Sequence, residues 1–163
     1  MEVNGLLLKL PRGIRWFIIS FVLVLSVGFY TGLLFVTQTS STSPAGIEEN
    51  YLGNEEIENA EVMKFKKSPR EMLTIIHTHI LSMSLIFFLL GALVWLTRLP
   101  QGLKLFLTIE PFLSVLLTFG GIYGLWTGIH WLKYVVVFSG ILMTVTFLIS
   151  SIIVVFQALK KEQ

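Results

Sequence analysis

Four apolar stretches, at about residues 16–37, 72–97, 105–126 and 132–157, decide what this chain can fold into. Each is long enough to cross the roughly 30 Å hydrocarbon layer of a bilayer as a helix. Only 13% of the 163 residues are charged, against about 25% in a soluble domain, while 54% are apolar. The expected fold is therefore all-α and integral to the membrane. It is a single domain over residues 1–163, an antiparallel four-helix transmembrane bundle with one long extracytoplasmic loop at residues 39–70.

Each span has its own boundary signals. Pro11, Arg12 and Arg15 precede the first, and Ser40-Ser41-Thr42-Ser43-Pro44 follows it. Ser68-Pro69-Arg70-Glu71 opens the second as a capping box, with Ser68 at the N-cap, Pro69 at the first helical position and Glu71 reaching back. Arg98-Leu99-Pro100-Gln101-Gly102 closes it in a tight turn, and Gly128-Ile129-His130-Trp131 separates the third span from the fourth. The first run exceeds the 7–15 residues typical of a secretory signal core, roughly speaking, and no small-x-small cleavage site follows it, so it reads as a retained span.

Orientation follows from the basic residues near the span ends. One side carries Lys9, Arg12, Arg15, Arg98, Lys104, Lys160 and Lys161; the other carries Lys64, Lys66, Lys67, Arg70 and Lys133 with most of the acidic residues. The excess places both termini in the cytoplasm of a bacterial inner (cell) membrane, and turns the loop and all three histidines outward. The loop reads first as a solvated linker kept soluble by its charge. The alternative is a small cap in which Ile47, Tyr51, Leu52 and Ile57 let a short helix dock over the histidine end.

Small residues mark the expected helix contacts, because membrane helices associate by close packing rather than by hydrophobic exclusion. Gly120, Gly124 and Gly128, with Gly121, form a stripe on the third span, and Gly28 and Gly32 give the first a similar notch. The stripe is read as helix–helix contact, with room for a flat cofactor between helices as the alternative.

His77, His79 and His130 are the chain's only histidines, and imidazole is the commonest metal ligand. Without cysteine, any metal would rest on His, carboxylate, Met or backbone oxygen, and thiolate sites and covalently attached haem are excluded. His77 and His79 sit about 200° apart around one helix, so they do not form a chelating pair. One of them, expected here to be His77, would instead oppose His130 across the outer half of the core, as the two axial ligands of a haem b do. Tyr123 and Trp126, together with Trp131 and Phe138, would wall the ring, and Arg70 and Lys133 would meet its propionates. In architecture the chain resembles small four-helix membrane b-type cytochromes. No diagnostic motif accompanies that likeness, and histidines at one end allow at most one bis-histidine haem.

Glu110 has two readings: a carboxylate one turn into the third span, paired with Arg98 or Lys104, or an N-terminal cap residue if the helix starts at Pro111. A proton relay would need more than one buried acid.

No nucleophile–base pair, phosphate loop or carboxylate pair is present, so no catalytic residue is assigned. The expected function is a small haem b protein for electron transfer near the extracytoplasmic face. Its rivals are an accessory or scaffold subunit of a larger membrane complex and a copper- or zinc-binding membrane protein. The partners expected are the lipid bilayer, a redox protein or larger complex, or a second copy of the chain; nucleic acid is not among them.

Overall fold

A 28-residue helix of mostly apolar side chains has a single way to satisfy its backbone in hydrocarbon, which is to bond every N–H to the carbonyl four residues back. The computed structural model describes residues 3–39, 43–55 and 62–160, and all regular structure among them is helical. The elements are α1 (Leu6–Lys9), α2 (Arg12–Thr39), α3 (Pro44–Leu52), α4 (Pro69–Leu96), α5 (Gln101–Trp126) and α6 (Leu132–Leu159). Of these, α2, α4, α5 and α6 are long and apolar enough to span a bilayer. The chain is an integral membrane four-helix bundle. Ile57, Lys161 and residues 40–42 lie outside the described residues.

The helices run past the apolar stretches that announce them. Apolarity marks the hydrocarbon layer alone, whereas the helices continue into their caps. Ser68 caps α4 as the sequence predicts: its hydroxyl accepts from the Glu71 N–H at 3.3 Å, and Glu71 Oε2 accepts from the Ser68 N–H at 2.7 Å. α5 begins at Gln101, four residues earlier than its hydropathy suggests, with Pro100 at the N-cap. Its first turn is held from outside, because Lys104 Nζ donates to the Trp95 carbonyl at 2.8 Å and to Asn4 Oδ1 at 3.0 Å. The short α1, which no sequence signal announced, is tied in by the Gly5 N–H donating to the Thr97 carbonyl at 3.2 Å.

α5 is the most enclosed span, packed against α6 on one side and α4 on another. A Cβ at Gly121 would lie 2.9 Å from Val136 Cγ2, and one at Gly124 would overlap Leu132 Cδ1. The Thr118 and Ser139 hydroxyls bond across the same seam at 2.7 Å. On the other side Gly91 of α4 meets Thr108, its Cβ position 3.4 Å from Cγ2. These pairings fix antiparallel registers for α4–α5 and α5–α6. Three helices meet at Phe147 of α6: Phe29 of α2 stacks on it at 3.9 Å, and Phe87 of α4 stands edge-on at 6.2 Å. Along most of its outer face α2 presents Phe17, Val24, Val27 and Tyr30 to the surroundings.

The predicted glycine stripe is split by the structure. Gly120 has nothing within 4 Å of its Cβ position, and Gly128 takes φ +107 in the α5–α6 turn; Gly121 and Gly124 make the contact. The expected outcome of Gly121→Leu is a loss of about 1–3 kcal/mol, because Val136 is stiff at χ1 and cannot swing aside. Gly120→Leu, one residue away and facing open space, should change stability by less than about 0.5 kcal/mol. Thermal unfolding of the two variants in the same detergent checks the contrast.

Candidate functional site

The end of the bundle that carries α3 is where every predicted site residue resides, and the segment before α4 is a packed cap there. Ser43 accepts from the Gly46 N–H at 3.0 Å to start α3, with Pro44 in its first turn. Ile47 is buried, and Tyr51 and Leu52 pack on the core. α3 stops at Gly53, whose φ of +88 no ordinary L residue adopts readily, and whose Cβ position lies 2.8 Å from the Lys66 backbone nitrogen. Beyond it the chain doubles back. The Asn54 N–H donates to the Lys64 carbonyl at 2.9 Å, the Lys64 N–H to Asn54 Oδ1 at 2.6 Å, and the Asn54 side-chain amide to the Val62 carbonyl at 3.0 Å. The solvated-linker reading is thus corrected: three apolar contacts and a buried Asn54 are enough to hold the segment down.

The cap is fastened to the α5–α6 hairpin by polar contacts at two places, Trp126 and Glu48. Trp126 Nε1 donates to the Lys67 carbonyl at 2.8 Å, with Lys66 Nζ over the indole at 5.4 Å. Glu48 of α3 bonds His130 Nδ1 through Oε1 and Lys133 Nζ through Oε2, both at 2.5 Å. The hydrogen bond from Lys133, and after it the one from His130, holds the Glu48 carboxyl below the usual glutamate range. Glu48 escaped the sequence reading because its partners are 82 and 85 residues away, and nothing local distinguishes it from Glu49.

The three histidines are given three separate tasks. His77 is exposed on α4 in a shallow depression whose lining residues, Arg70, Leu73, Thr74, His77 and Thr78, all come from that one helix. His79 turns into the α4–α5 interface, stacks on Phe119 at 4.9 Å, and donates Nδ1–H to the carbonyl of Ile75 at 2.7 Å. His130 is exposed in the hairpin turn and bonded to Glu48. Phe119, the level of His79, lies seven residues and about 10 Å of helix rise below the end of α5 at Trp126, and His130 lies beyond that end. His79 is thus set well below His130, the depression at His77 is lined by α4 alone, and His130 is taken up by Glu48, so the expected pairing of His130 with His77 or His79 finds no contact among the described residues. Among the described residues no group of three His, Cys, Asp or Glu converges for a metal.

The expected ring wall is dispersed as well. Tyr123 is 43% exposed and tilted against Trp126 at 5.8 Å, Trp126 itself belongs to the cap, and Trp131 and Phe138 face outward. Lys133 is engaged by Glu48 rather than left for a propionate.

Glu110 is neither a cap nor an ion-pair partner. Pro111 lies inside α5, and Lys104 points to Asn4 and Trp95. The carboxylate is buried, accepting from Ser114 Oγ.

A family described as a transmembrane helical domain matches residues 41–163, which comprise α3, α4, α5 and α6 with their connections. No curated protein and no solved structure matches the chain.

Glu48 sets a pH dependence for the cap. A carboxyl held low by its partners in the folded state stabilises the fold above its ordinary range, and loses that contribution as the pH falls through the depressed value. Acidification below about pH 4 should loosen α3 from the hairpin, seen as a change in tryptophan emission; Glu48→Gln should remove most of that response. The half-exposed pairs contribute about 0–1 kcal/mol each, so the bundle itself stays folded.

Proposed function

We propose a docking role for this chain, which belongs to the Aq_1264_TM family of transmembrane helical domains. It acts as a non-catalytic subunit that assembles with another membrane protein, with both termini in the cytoplasm of a bacterial inner membrane and the α3 cap outside. The observation that carries this reading is the unfilled notch on α2. Gly28 and Gly32 stand four residues apart on α2, and among the described residues neither has an atom within 4 Å of its Cβ position. Gly91, Gly121 and Gly124 inside the bundle are each met by a neighbour. Paired small residues at this spacing let a second backbone approach closely, which is how helices associate where lipid removes the hydrophobic drive. α2 meets the rest of the bundle through the buried Ile18, Ile19, Val22 and Phe29, whereas Gly28 and Gly32 are exposed.

A haem b held near His79 is the second reading, and one observation favours it. Donation of Nδ1–H to the Ile75 carbonyl is the arrangement that presents the opposite ring nitrogen, Nε2, as a ligand. Its weakness is the missing second imidazole at that level, which a partner would have to supply. Copper or zinc on His77 or His130 would likewise need ligands from elsewhere.

One preparation separates these readings. The chain, expressed with an affinity tag in its own membranes and extracted in a mild detergent, should be colourless and run in a stoichiometric complex. Replacing both glycines, Gly28→Leu with Gly32→Leu, should dissolve the complex while leaving thermal unfolding within about 0.5 kcal/mol, because neither glycine packs inside the bundle. A Soret band that disappears on His79→Ala would overturn the docking reading in favour of haem. A monomer with stoichiometric copper or zinc would overturn it in favour of a metal carrier.

A further inference from the structure

Glu110 stands nine residues into the 26-residue helix α5, about 13 Å along its axis and roughly a third of the way through it. No other acidic residue lies in the apolar interior of any of the four spans. The residue is 7% exposed. Oε1 takes the hydroxyl of Ser114, one turn on, and Oε2 is buried with no donor. Beside it Pro111 is buried and has no N–H, so the Leu107 carbonyl loses the donor that a helix would give it.

The surroundings supply no positive charge. The register set by Thr118 with Ser139 and by Gly121 with Val136 puts Phe147 of α6 opposite Glu110, with the buried hydroxyls of Thr146 and Ser150 on either side. Lys104, six residues earlier on α5, is held by Asn4 and Trp95. Arg70, Glu71, His77 and His79 of α4 and Lys133 and Tyr134 of α6 belong to the α3 end, Arg12 and Arg15 of α2 and Lys160 after α6 belong to the opposite end, and Tyr30 of α2 is exposed on the bundle surface. A carboxylate with one buried oxygen that no protein donor meets is a costly charge to hold inside a bundle.

We propose that Glu110, Ser114 and the Leu107 carbonyl form a site for one small monovalent cation, a proton or a sodium ion, and that its occupancy locks the α5–α6 seam. A proton on Oε2 turns the bare acceptor into a donor and removes the charge; the freed carbonyl one turn back is an acceptor for it. A sodium ion would use the same oxygens, the carboxylate with a carbonyl and a hydroxyl, as cation sites at broken helices do. Both occupants neutralise the carboxylate on the side of α5 that the register turns toward α6.

The test compares the whole purified chain with Glu110→Gln, which is neutral and brings its own N–H donors, in lipid nanodiscs at rising pH, in choline or sodium buffer. For a proton, the wild-type melting temperature should fall by several degrees as the pH rises in both buffers, while Glu110→Gln stays level after the shared contribution of the cap is subtracted. For sodium, the fall should appear in choline and be restored in sodium buffer. Parallel curves for the two proteins, indifferent to sodium, would overturn the site. Should Glu110→Gln fail to fold, a membrane-soluble carbodiimide on the wild type decides, because it modifies protonated carboxyls. Modification of the Glu110 peptide should drop about tenfold per pH unit once the proton leaves, or drop on adding sodium at constant pH. No modification of that peptide at any pH, with Glu71 modified in the same sample, would overturn it.

Discussion

The close approach of α5 and α6 is the contact on which the remaining architecture depends. In lipid no hydrophobic exclusion drives two apolar helices together, so the seam has to rest on shape and on the few polar bonds it encloses. Gly121 and Gly124 remove the side chains that would hold the helices apart, and Val136 and Leu132 occupy the space. Thr118 and Ser139 then bond across it, each hydroxyl sheltered from lipid. With the hairpin set, Phe147 is presented at the depth where Phe29 and Phe87 can reach it, and α2 and α4 acquire their positions from that ring. The mouth of the same hairpin holds Trp126, His130 and Lys133 at the spacing that the cap needs.

The two ends are secured differently from the middle, for a physical reason. Near the membrane surface water competes for every polar group, so single hydrogen bonds contribute little and the ends use several at once. At the α1 end Gln157 bonds both the N–H and the carbonyl of Arg98, tying the α4–α5 turn to α6. Asn4 takes the Leu99 N–H and Lys104 Nζ in the same region. At the α3 end Asn54 does the equivalent work for the cap, with both side-chain atoms used inside one loop. The chain thus has a shape-determined centre between two hydrogen-bonded lids.

What was legible beforehand follows from how local each signal is. Span number and order are written in runs of apolar residues, and the Ser68–Glu71 capping box is complete within four positions, so both were readable. Which glycines pack is decided by the rotation of α5 relative to α6; spacing alone groups Gly120 with Gly124 although only Gly124 touches its neighbour. The chain of contacts at the α3 end was hidden because Glu48 meets Lys133 from 85 residues away. The place of Glu110 in its helix was hidden because a hydropathy window starts α5 at residue 105, whereas Pro100 caps it five residues before. With that boundary moved, Glu110 stands nine residues past Gln101 and inside the helix, so it is not the N-terminal cap.

That shift also reorders which residues matter. Histidine earns interest by type, since it suits metals and titrates near neutrality, yet each imidazole here is placed by its own surroundings. His79 is bound to its own helix and to Phe119, His130 to Glu48, and His77 is open on the bundle surface. Glutamate in a membrane helix is chemically ordinary until its partners are counted, and Glu110 has one oxygen bonded and one bare in a buried site. A polar group whose bonds are complete already has its structural explanation. Among the described residues Arg15 Nε, Ser151 Oγ and Glu110 Oε2 are buried without a partner, and of these the carboxylate keeps the largest free energy cost for a further interaction to offset; its burial limits that interaction to something as small as a cation.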